Sequence, residues 1–560
     1  MKKILALILV ISLIAGCIGG KSGTGSEKSS DSGNGKIDSI IFTRTGAQAV
    51  LKEETQVTSV SVYNNDTKIA SQNVNNKVKD VFIDFKWEPN KQYKIELQTS
   101  NGAASSSVYA PAKPTAIKLG EIKLEDVEPG SINKTTENIK GEVGFSPDGK
   151  YLIVGTHTGY IKAIETDTNK IVFEKKISEG KIQTFDFSRD SKYLILGEQS
   201  VDGYIYVFEL PGGKEIWKFR TGEEIGSDIK NQPTIPKIKV VGNTAYAVAT
   251  RSASGTNKSS YWSRIYAFNI ETGNVLWKFP ENDVMDLSIY QIDVSSDGKY
   301  IFFAGSSFPK RSVRDSTKYK DGVVHVLNGE GKELWSYELP VLPYQIIVWI
   351  GRGSISESGK YIIAIDYYGA AYLFDNEEIL KTGKSSPVWS KNISTAIEMS
   401  GIPIYGSLNY ANFLGDNIIF NVGNTYIPTL SKSAQNNRAT VEHPNGNALL
   451  VYDINGDLLW KWRIEGYVPG KMSISKDSRF LVLPVGQNIV TGNLNVHGVY
   501  VFDTTVQGGA TSKLVYVYKT EGITVATAIS PDGKYIAALE APARLDDGSV
   551  IGEYKVHLLS

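Results

Sequence analysis

The stretch from Arg264 to Phe279, RIYAFNIETGNVLWKF, constrains the fold more than any other part of the chain. Ile265, Ala267 and Phe268 lead into a Glu-Thr-Gly reversal, and Val275, Trp277 and Phe279 lead out of it. Apolar side chains thus alternate on both sides of a turn, which is the pattern of a β-hairpin. The unit recurs as YIKAIETDTNKIVF ending at Phe173, YIYVFELPGGKEIW at Trp217, VVHVLNGEGKELW at Trp335, ALLVYDINGDLLW at Trp460 and, loosely, VYVFDTTVQGGATSKLVY at Tyr516. A degraded copy, AAYLFD followed by PVW, ends at Trp389. A length of 560 residues suggests several domains, but stacked repeats make one extended body.

Each hairpin alternates along the chain with a second signature: GFSPDGKYLIVG at Tyr151, DFSRDSKYLILG at Tyr193, DVSSDGKYIFFAG at Tyr300, SISESGKYIIAI at Tyr361, SISKDSRFLVL at Phe480 and AISPDGKYIAAL at Tyr535. It reads as strand, tight turn, strand, with Ser, Asp and Gly supplying the turn chemistry. KVVGNTAYAVA around Tyr246 and FLGDNIIFNVG around Ile418 use Gly-Asn and Gly-Asp turns instead. Each unit is then four strands with an aromatic marker on the last, at spacings from 44 residues (Phe173 to Trp217) to 71 (Trp389 to Trp460). These are the dimensions of propeller blades with inserted loops. The seven markers from Phe173 to Tyr516 define seven blades. ITVATAIS, YIAALE and EYKVHLL supply three strands of an eighth, and AIKLGEIKLEDV, Ala116 to Val127, is left to provide its fourth. The expected fold is all-β: an eight-bladed β-propeller over 114–560, closed by the strand at 116–127, with a small β-sandwich over 37–112 before it. In that sandwich IDSIIF, VTSVSVY, TKIASQN, DVFIDFKW, QYKIELQ and SSSVYA read as six short strands of immunoglobulin-like or fibronectin-like type, acting as a spacer or docking module.

The amino terminus, MKKILALILVISLIAGC, has two lysines, an apolar run and small residues before Cys17, the single cysteine of the chain. It reads as a secretory signal over 1–16. Ile14-Ala15-Gly16-Cys17 resembles the lipobox of lipoproteins, which implies lipid on Cys17, a membrane anchor and an extracytoplasmic location. Residues 17–36 are rich in Gly and Ser and form a flexible tether. Asn65, Asn133, Asn257 and Asn392 each have Ser or Thr two residues later, the form of a glycosylation acceptor.

Lys plus Arg and Asp plus Glu each total 60, a formal net charge of zero, which argues against nucleic acid as partner. The YAFNIETGNVLWKF type of unit resembles the quinoprotein (PQQ-like) propeller repeat, and a lipid-anchored example is similar to the outer-membrane assembly lipoprotein family typified by BamB. The resemblance covers about four fifths of the chain and implies that Trp217, Trp277, Trp335, Trp389 and Trp460 dock blade on blade. It leaves two functions open. The first is a non-catalytic binding or scaffold propeller for a protein or polysaccharide at the cell surface, with no cofactor and no metal. The alternative is an extracytoplasmic oxidoreductase that binds PQQ and Ca²⁺ in an altered site.

No catalytic residue stands out in the sequence. There is no vicinal cysteine pair and no C-x-x-C-H, and the five histidines show no metal-ligand spacing. Lys381 to Ser386, KTGKSS, has the end of a phosphate loop without its first glycine, and Asp453 to Asp457, DINGD, has calcium-loop composition inside a hairpin turn. The long loops fall between second and third strands, at Arg251–Ser263, Ser306–Gly322, Asn424–Asn447, Pro484–Gly498 and Ala541–Gly552. Long loops are kept chiefly where they act. Lys310, Arg311, Arg314, Lys318 and Lys320 oppose only Asp315 and Asp321, with Tyr319, Trp262, Arg438 and His443 able to join them. The expected contact set is Arg311, Arg314, Lys318, Tyr319, Trp262, Arg438 and His443, meeting an anionic or polar partner.

Overall fold

In the computed structural model the described residues are 36–131, 139–252, 261–307, 322–341, 350–399, 402–425, 443–464, 466, 472–487 and 494–560. The chain divides into two compact units, Met1–Thr115 and Ala116–Ser560.

The first unit holds five strands: β1 (Ile37–Phe42), β2 (Gly46–Asn64), β3 (Thr67–Asp84), β4 (Gln92–Thr99) and β5 (Gly102–Tyr109). Hydrogen bonds join them in one sheet, with β2 pairing β1, β3 and β4. This corrects the expectation of six short strands. TKIASQN and DVFIDFKW merge into one 18-residue strand because Asn65 (φ 48) and Asp66 (φ 63) make a left-handed two-residue turn, and β3 then runs back along the whole of β2. The middle of β3 is polar and exposed, so the backbone ladder and not side-chain burial maintains it. Register shifts at Val50/Thr55 and Val57/Ser59 interrupt β2, and Ala47, Leu51, Val60 and Val62 from its two halves share one core with Phe85, Tyr93 and Ile95.

The second unit is a series of antiparallel four-stranded meanders. The first is Glu142–Phe145, Tyr151–Gly155, Tyr160–Glu165 and Lys170–Lys176; the second is Lys181–Phe187, Tyr193–Gln199, Tyr204–Glu209 and Lys214–Arg220; the third is Thr234–Val241, Thr244–Ser252, Tyr261–Asn269 and Val275–Phe279. The fourth is Ser288–Val294, Tyr300–Ser306, Gly322–Asn328 and Glu333–Glu338; the fifth is Ser354–Ile355, Tyr361–Ile365, Ala370–Asp375 and Trp389–Asn392. The sixth is Gly406–Leu414, Asn417–Thr425, Ala448–Tyr452 and Leu458–Arg463; the seventh is Ser473–Ile474, Phe480–Val485, Gly498–Asp503 and Leu514–Tyr518. The last has Ile523–Ile529, Ile536–Ala541 and Lys555–Leu559, and its outer position is filled by β6 (Lys118–Lys123), paired antiparallel to Lys555–Leu559.

Each meander shares a core with the next. Ile153 and Ala163 of the first pack with Leu194 and Phe208 of the second, and Phe302 and Val326 of the fourth pack with Ile362 and Phe374 of the fifth. The last meander shares its core with the first, through Leu539 and Val556 against Val143 and Leu152, so the unit closes on itself as a β-propeller. The aromatic markers make these joints. The indole N–H of Trp217 donates to the Ile270 carbonyl at 2.6 Å, that of Trp277 to Gly329 at 2.8 Å, that of Trp335 to Asn376 Oδ1 at 2.7 Å and that of Trp389 to Ile454 at 3.0 Å, each acceptor lying in the following meander. The rings lie on turn glycines. A Cβ on Gly273 (φ 74) would stand 2.8 Å from Trp217, and one on Gly331 (φ 78) 2.5 Å from Trp277, so both the backbone angle and the ring demand glycine. The degraded copy ending at Trp389 has a physical cause: helix Asn376–Thr382 is inserted before its fourth strand and supplies the Asn376 acceptor for Trp335.

The Ser-x-Asp turns hold the other signature together. In the fourth meander the Ser295 hydroxyl donates to Asp297 Oδ1 (2.8 Å) and accepts from the Tyr300 N–H (3.1 Å), while Asp297 Oδ1 accepts from the Lys299 N–H (3.1 Å). Ser146, Ser188, Ser475 and Ser530 repeat the arrangement with Asp148, Asp190, Asp477 and Asp532. The Lys299 side chain, working against partial burial, brings the Asp297 carboxyl down to about 2. Ser295→Ala leaves a buried N–H without an acceptor and is expected to cost about 1–2 kcal/mol. Urea unfolding measures it, and an unchanged midpoint would show that Gly298 alone holds the turn.

Candidate functional site

In an antiparallel meander the first-to-second and third-to-fourth turns lie at one end, and the second-to-third loops and the links between meanders at the other. The first strands therefore start at the long-loop end. Their starts surround a cavity of about 320 Å³ lined by Ile139, Lys140, Gly141 and Glu142 of the first meander, Ile182 and Gln183 of the second with Gln199, Thr234 and Pro236 of the third, Tyr290 of the fourth, Arg352 ahead of the fifth, and Val525 to Thr527 of the last. Residues from most of the ring converge there, so the cavity is the hub of the propeller.

The polar groups at this hub are held in place. The Gln183 amide donates to Gln199 Oε1 at 2.8 Å. Arg352 Nη1 donates to the Tyr410 hydroxyl at 2.6 Å, and its guanidinium carbon lies 5.0 Å from the centre of that ring. The Lys140 N–H donates to His157 Nδ1 at 3.1 Å, and the Tyr554 hydroxyl donates to the Lys140 carbonyl at 3.1 Å while accepting from the His157 N–H at 2.9 Å. With Nδ1 an acceptor, the proton of the neutral His157 ring sits on Nε2. Burial, followed by the positive charges of Lys181 and Lys140, brings His157 down to about 4. Burial also lowers the Lys181 ammonium. Tyr290 lines the cavity and is 40 % exposed, and the protein packed around its phenol raises it.

Of the expected contact residues, the structure describes two. Trp262 lies in the third strand of its meander opposite Arg251, whose guanidinium carbon is 4.5 Å from the ring centre and whose Nη1 is 3.4 Å from Asp228 Oδ2. One face of the indole is thus covered by a neighbour of its own meander. His443 is corrected. It is 4 % exposed, its Nδ1 accepts from the Asn445 N–H at 3.0 Å, and its Nε2 lies 3.1 Å from the Thr395 carbonyl. Both nitrogens are taken by backbone, so the ring anchors the loop end instead of facing a partner. Cys17, Arg311, Arg314, Lys318, Tyr319 and Arg438 lie outside the described residues. The hub residues Lys140, Lys181, Tyr290 and Arg352 were missed because they belong to no motif. One signal could have found them: all fall four to seven positions before the turn serines Ser146, Ser188, Ser295 and Ser356.

The two motif fragments are structural. Gly383 of KTGKSS is the left-handed cap (φ 70) of helix Asn376–Thr382, its N–H donating to the Ile379 carbonyl. Asp453 accepts from the Asp457 N–H at 2.8 Å within its hairpin turn. Among the described residues no three His, Cys, Asp or Glu side chains converge as metal ligands, and the cavity wall carries one carboxylate, Glu142. Ca²⁺ takes six to eight oxygens, so the hub residues do not fit a PQQ and Ca²⁺ site.

A family model described as the outer membrane protein assembly factor BamB matches residues 188–398, in support of a BamB-like β-propeller. A curated relative, echinoderm microtubule-associated protein-like 2 of Rattus norvegicus, is 29 % identical over 112 residues, which is 19 % of this chain and 17 % of that protein. Similar solved structures include the C-terminal WD40 domain of Sif2, at 11 % identity and a TM-score of 0.48 over 80 % of this chain and 98 % of that one. BamB from Moraxella catarrhalis is similar at 12 % identity and a TM-score of 0.45, over 80 % and 100 %. The computationally designed Ika8 protein is similar at 14 % identity and 0.47, over 78 % and 100 %.

Proposed function

We propose that the chain is a non-catalytic binding or scaffold propeller of eight blades, held at the extracytoplasmic face of the membrane by lipid on Cys17. It meets a protein or polysaccharide partner on the long-loop end. The distribution of exposed apolar side chains carries this reading. Val201, Ile229, Val341 and Ile397 stand in loops or links of that end, with Ile229 81 % exposed; the short-turn end exposes Leu380, Val388 and Val506, but its markers and Ser-x-Asp turns are engaged within the fold. Exposed apolar groups at one end of the ring favour a contact surface there. The matched family is described by an assembly role at the outer membrane, which favours a protein partner. The basic residues of the segment 306–322 add charge to this surface, and the amino-terminal unit serves as a spacer.

Replacing Arg311, Arg314 and Lys318 together by Ser is expected to reduce partner cross-linking in native membranes about tenfold at low salt with an unchanged melting temperature. Cys17→Ala is expected to move the protein to the soluble fraction. Undiminished cross-linking, with loss instead on altering the short-turn end, would place the partner on the other side.

A further inference from the structure

We infer that the cavity at the hub is a binding site for a small organic anion with two charged ends and a polar middle. It is separate from the partner surface on the rim. Lys140 of the first meander and Arg352, from ahead of the fifth on the far side of the ring, line the cavity, and Lys181 opens the first strand of the second meander beside it. Between them lie the bonded amides of Gln183 and Gln199. Lys181 precedes Ile182 and Gln183 and is register partner of Gln199, all three of which line the cavity.

Lys181 is half-buried, and no carboxylate pairs with it among the described residues. A desolvated ammonium without a counter-ion is costly, and an entering anion relieves that cost. Burial first, and then the charges of Lys181 and Lys140, oppose ionisation of the neighbouring His157. Among the described residues the wall carries one carboxylate, Glu142, and two cations, Lys140 and Arg352. A volume of about 320 Å³ lies at the small end of ligand pockets and suits a small organic molecule. Cations on opposite walls select a ligand charged at both ends, and amides between them suit hydroxyl or carbonyl groups.

Calorimetric titration of the full chain in detergent, at physiological salt, tests this with succinate, 3-phosphoglycerate, acetate and inorganic phosphate. Saturable binding of succinate or 3-phosphoglycerate is expected, with acetate and inorganic phosphate at least about tenfold weaker. Succinate alone marks a dicarboxylate, and 3-phosphoglycerate alone a phosphorylated hydroxy acid. Lys181→Gln should weaken binding about tenfold and Lys181→Arg largely restore it, with the melting temperature of unliganded Lys181→Gln equal to or above that of the parent. Arg352→Lys should also weaken it, since the fork is lost. Absence of saturable heat with all four probes, equal affinity for acetate and succinate, or undiminished binding by Lys181→Gln would overturn the assignment.

Discussion

Glu540→Ala lowers the stability of the propeller by about 3–5 kcal/mol, the cost of removing one partner from a buried charged pair. The carboxylate is 0 % exposed. Its Oε1 accepts from the Gly522 N–H at 2.8 Å and the Glu553 N–H at 3.2 Å, and its Oε2 lies 2.7 Å from His557 Nε2. Truncation leaves these donors with nothing to accept them in a place water does not reach. On its other side His557 Nδ1 faces Glu121 Oε2 at 3.6 Å, and Lys555 lies 3.8 Å from Glu121 and 3.3 Å from Glu521. Burial works to raise Glu540, but the bonds from His557 and the Gly522 and Glu553 N–H groups outweigh it and hold the carboxyl below its ordinary 4.5. A depressed carboxyl stabilises the fold in full above its unfolded value and loses that contribution as pH falls through the folded one. The gap between wild type and Glu540→Gln should therefore narrow as pH drops from about 6 to about 3. Chemical denaturation at the two pH values measures it. A cost for Glu540→Ala below about 1 kcal/mol, or a gap that widens in acid, would show that the pair carries no such weight.

A chain that begins at Lys134 melts on the order of 10 °C below one that begins at Ala116. The missing segment contains β6, whose residues Lys118 to Lys123 pair with Lys555 to Leu559. It also contains Leu124, buried in the core shared by the last and first meanders, with Leu119 and Ile122 packed against it. Losing two or three such side chains removes roughly 5 kcal/mol, and each kcal/mol is worth about 2–4 °C in a domain of 150–250 residues. Glu125 leaves with the strand. Its Oε1 lies 2.9 Å from Lys162 Nζ and its Oε2 accepts from Thr158 at 2.9 Å, so a nearly buried lysine keeps only Glu174. The strand Lys555–Leu559 becomes an open edge, which invites association. Calorimetry with light scattering separates the two effects, and coincident melting curves would mean that β6 does not close the ring.

How much was legible follows from the length over which each feature is encoded. The hairpin around Glu271-Thr272-Gly273 and the Ser-x-Asp turns are each set within some fifteen residues, by side-chain alternation and turn chemistry, and the strands lie where those patterns run. The partner surface was read only as composition, since basic and aromatic loop residues say nothing of what they touch at home. Trp262 lies under Arg251 and His443 is tied between backbone groups from two segments. In the amino-terminal unit the polar stretch of β3 defeats a reading by hydrophobic alternation, because its partner strand and not its own side chains keeps it extended.

The amino-acid sequence by itself determined the repeating unit, its four strands, and the need for a late strand to find a partner early in the chain, because local periodicity and turn geometry leave little choice. Only the tertiary structure decided the hub. Lys140, Tyr290 and Arg352 stand in separate repeats, none in a motif, and they line one cavity only because packing each sheet on the next turns the chain back on itself. Residues at one level of successive units converge at the axis of a closed ring, and no local rule of sequence records that distance.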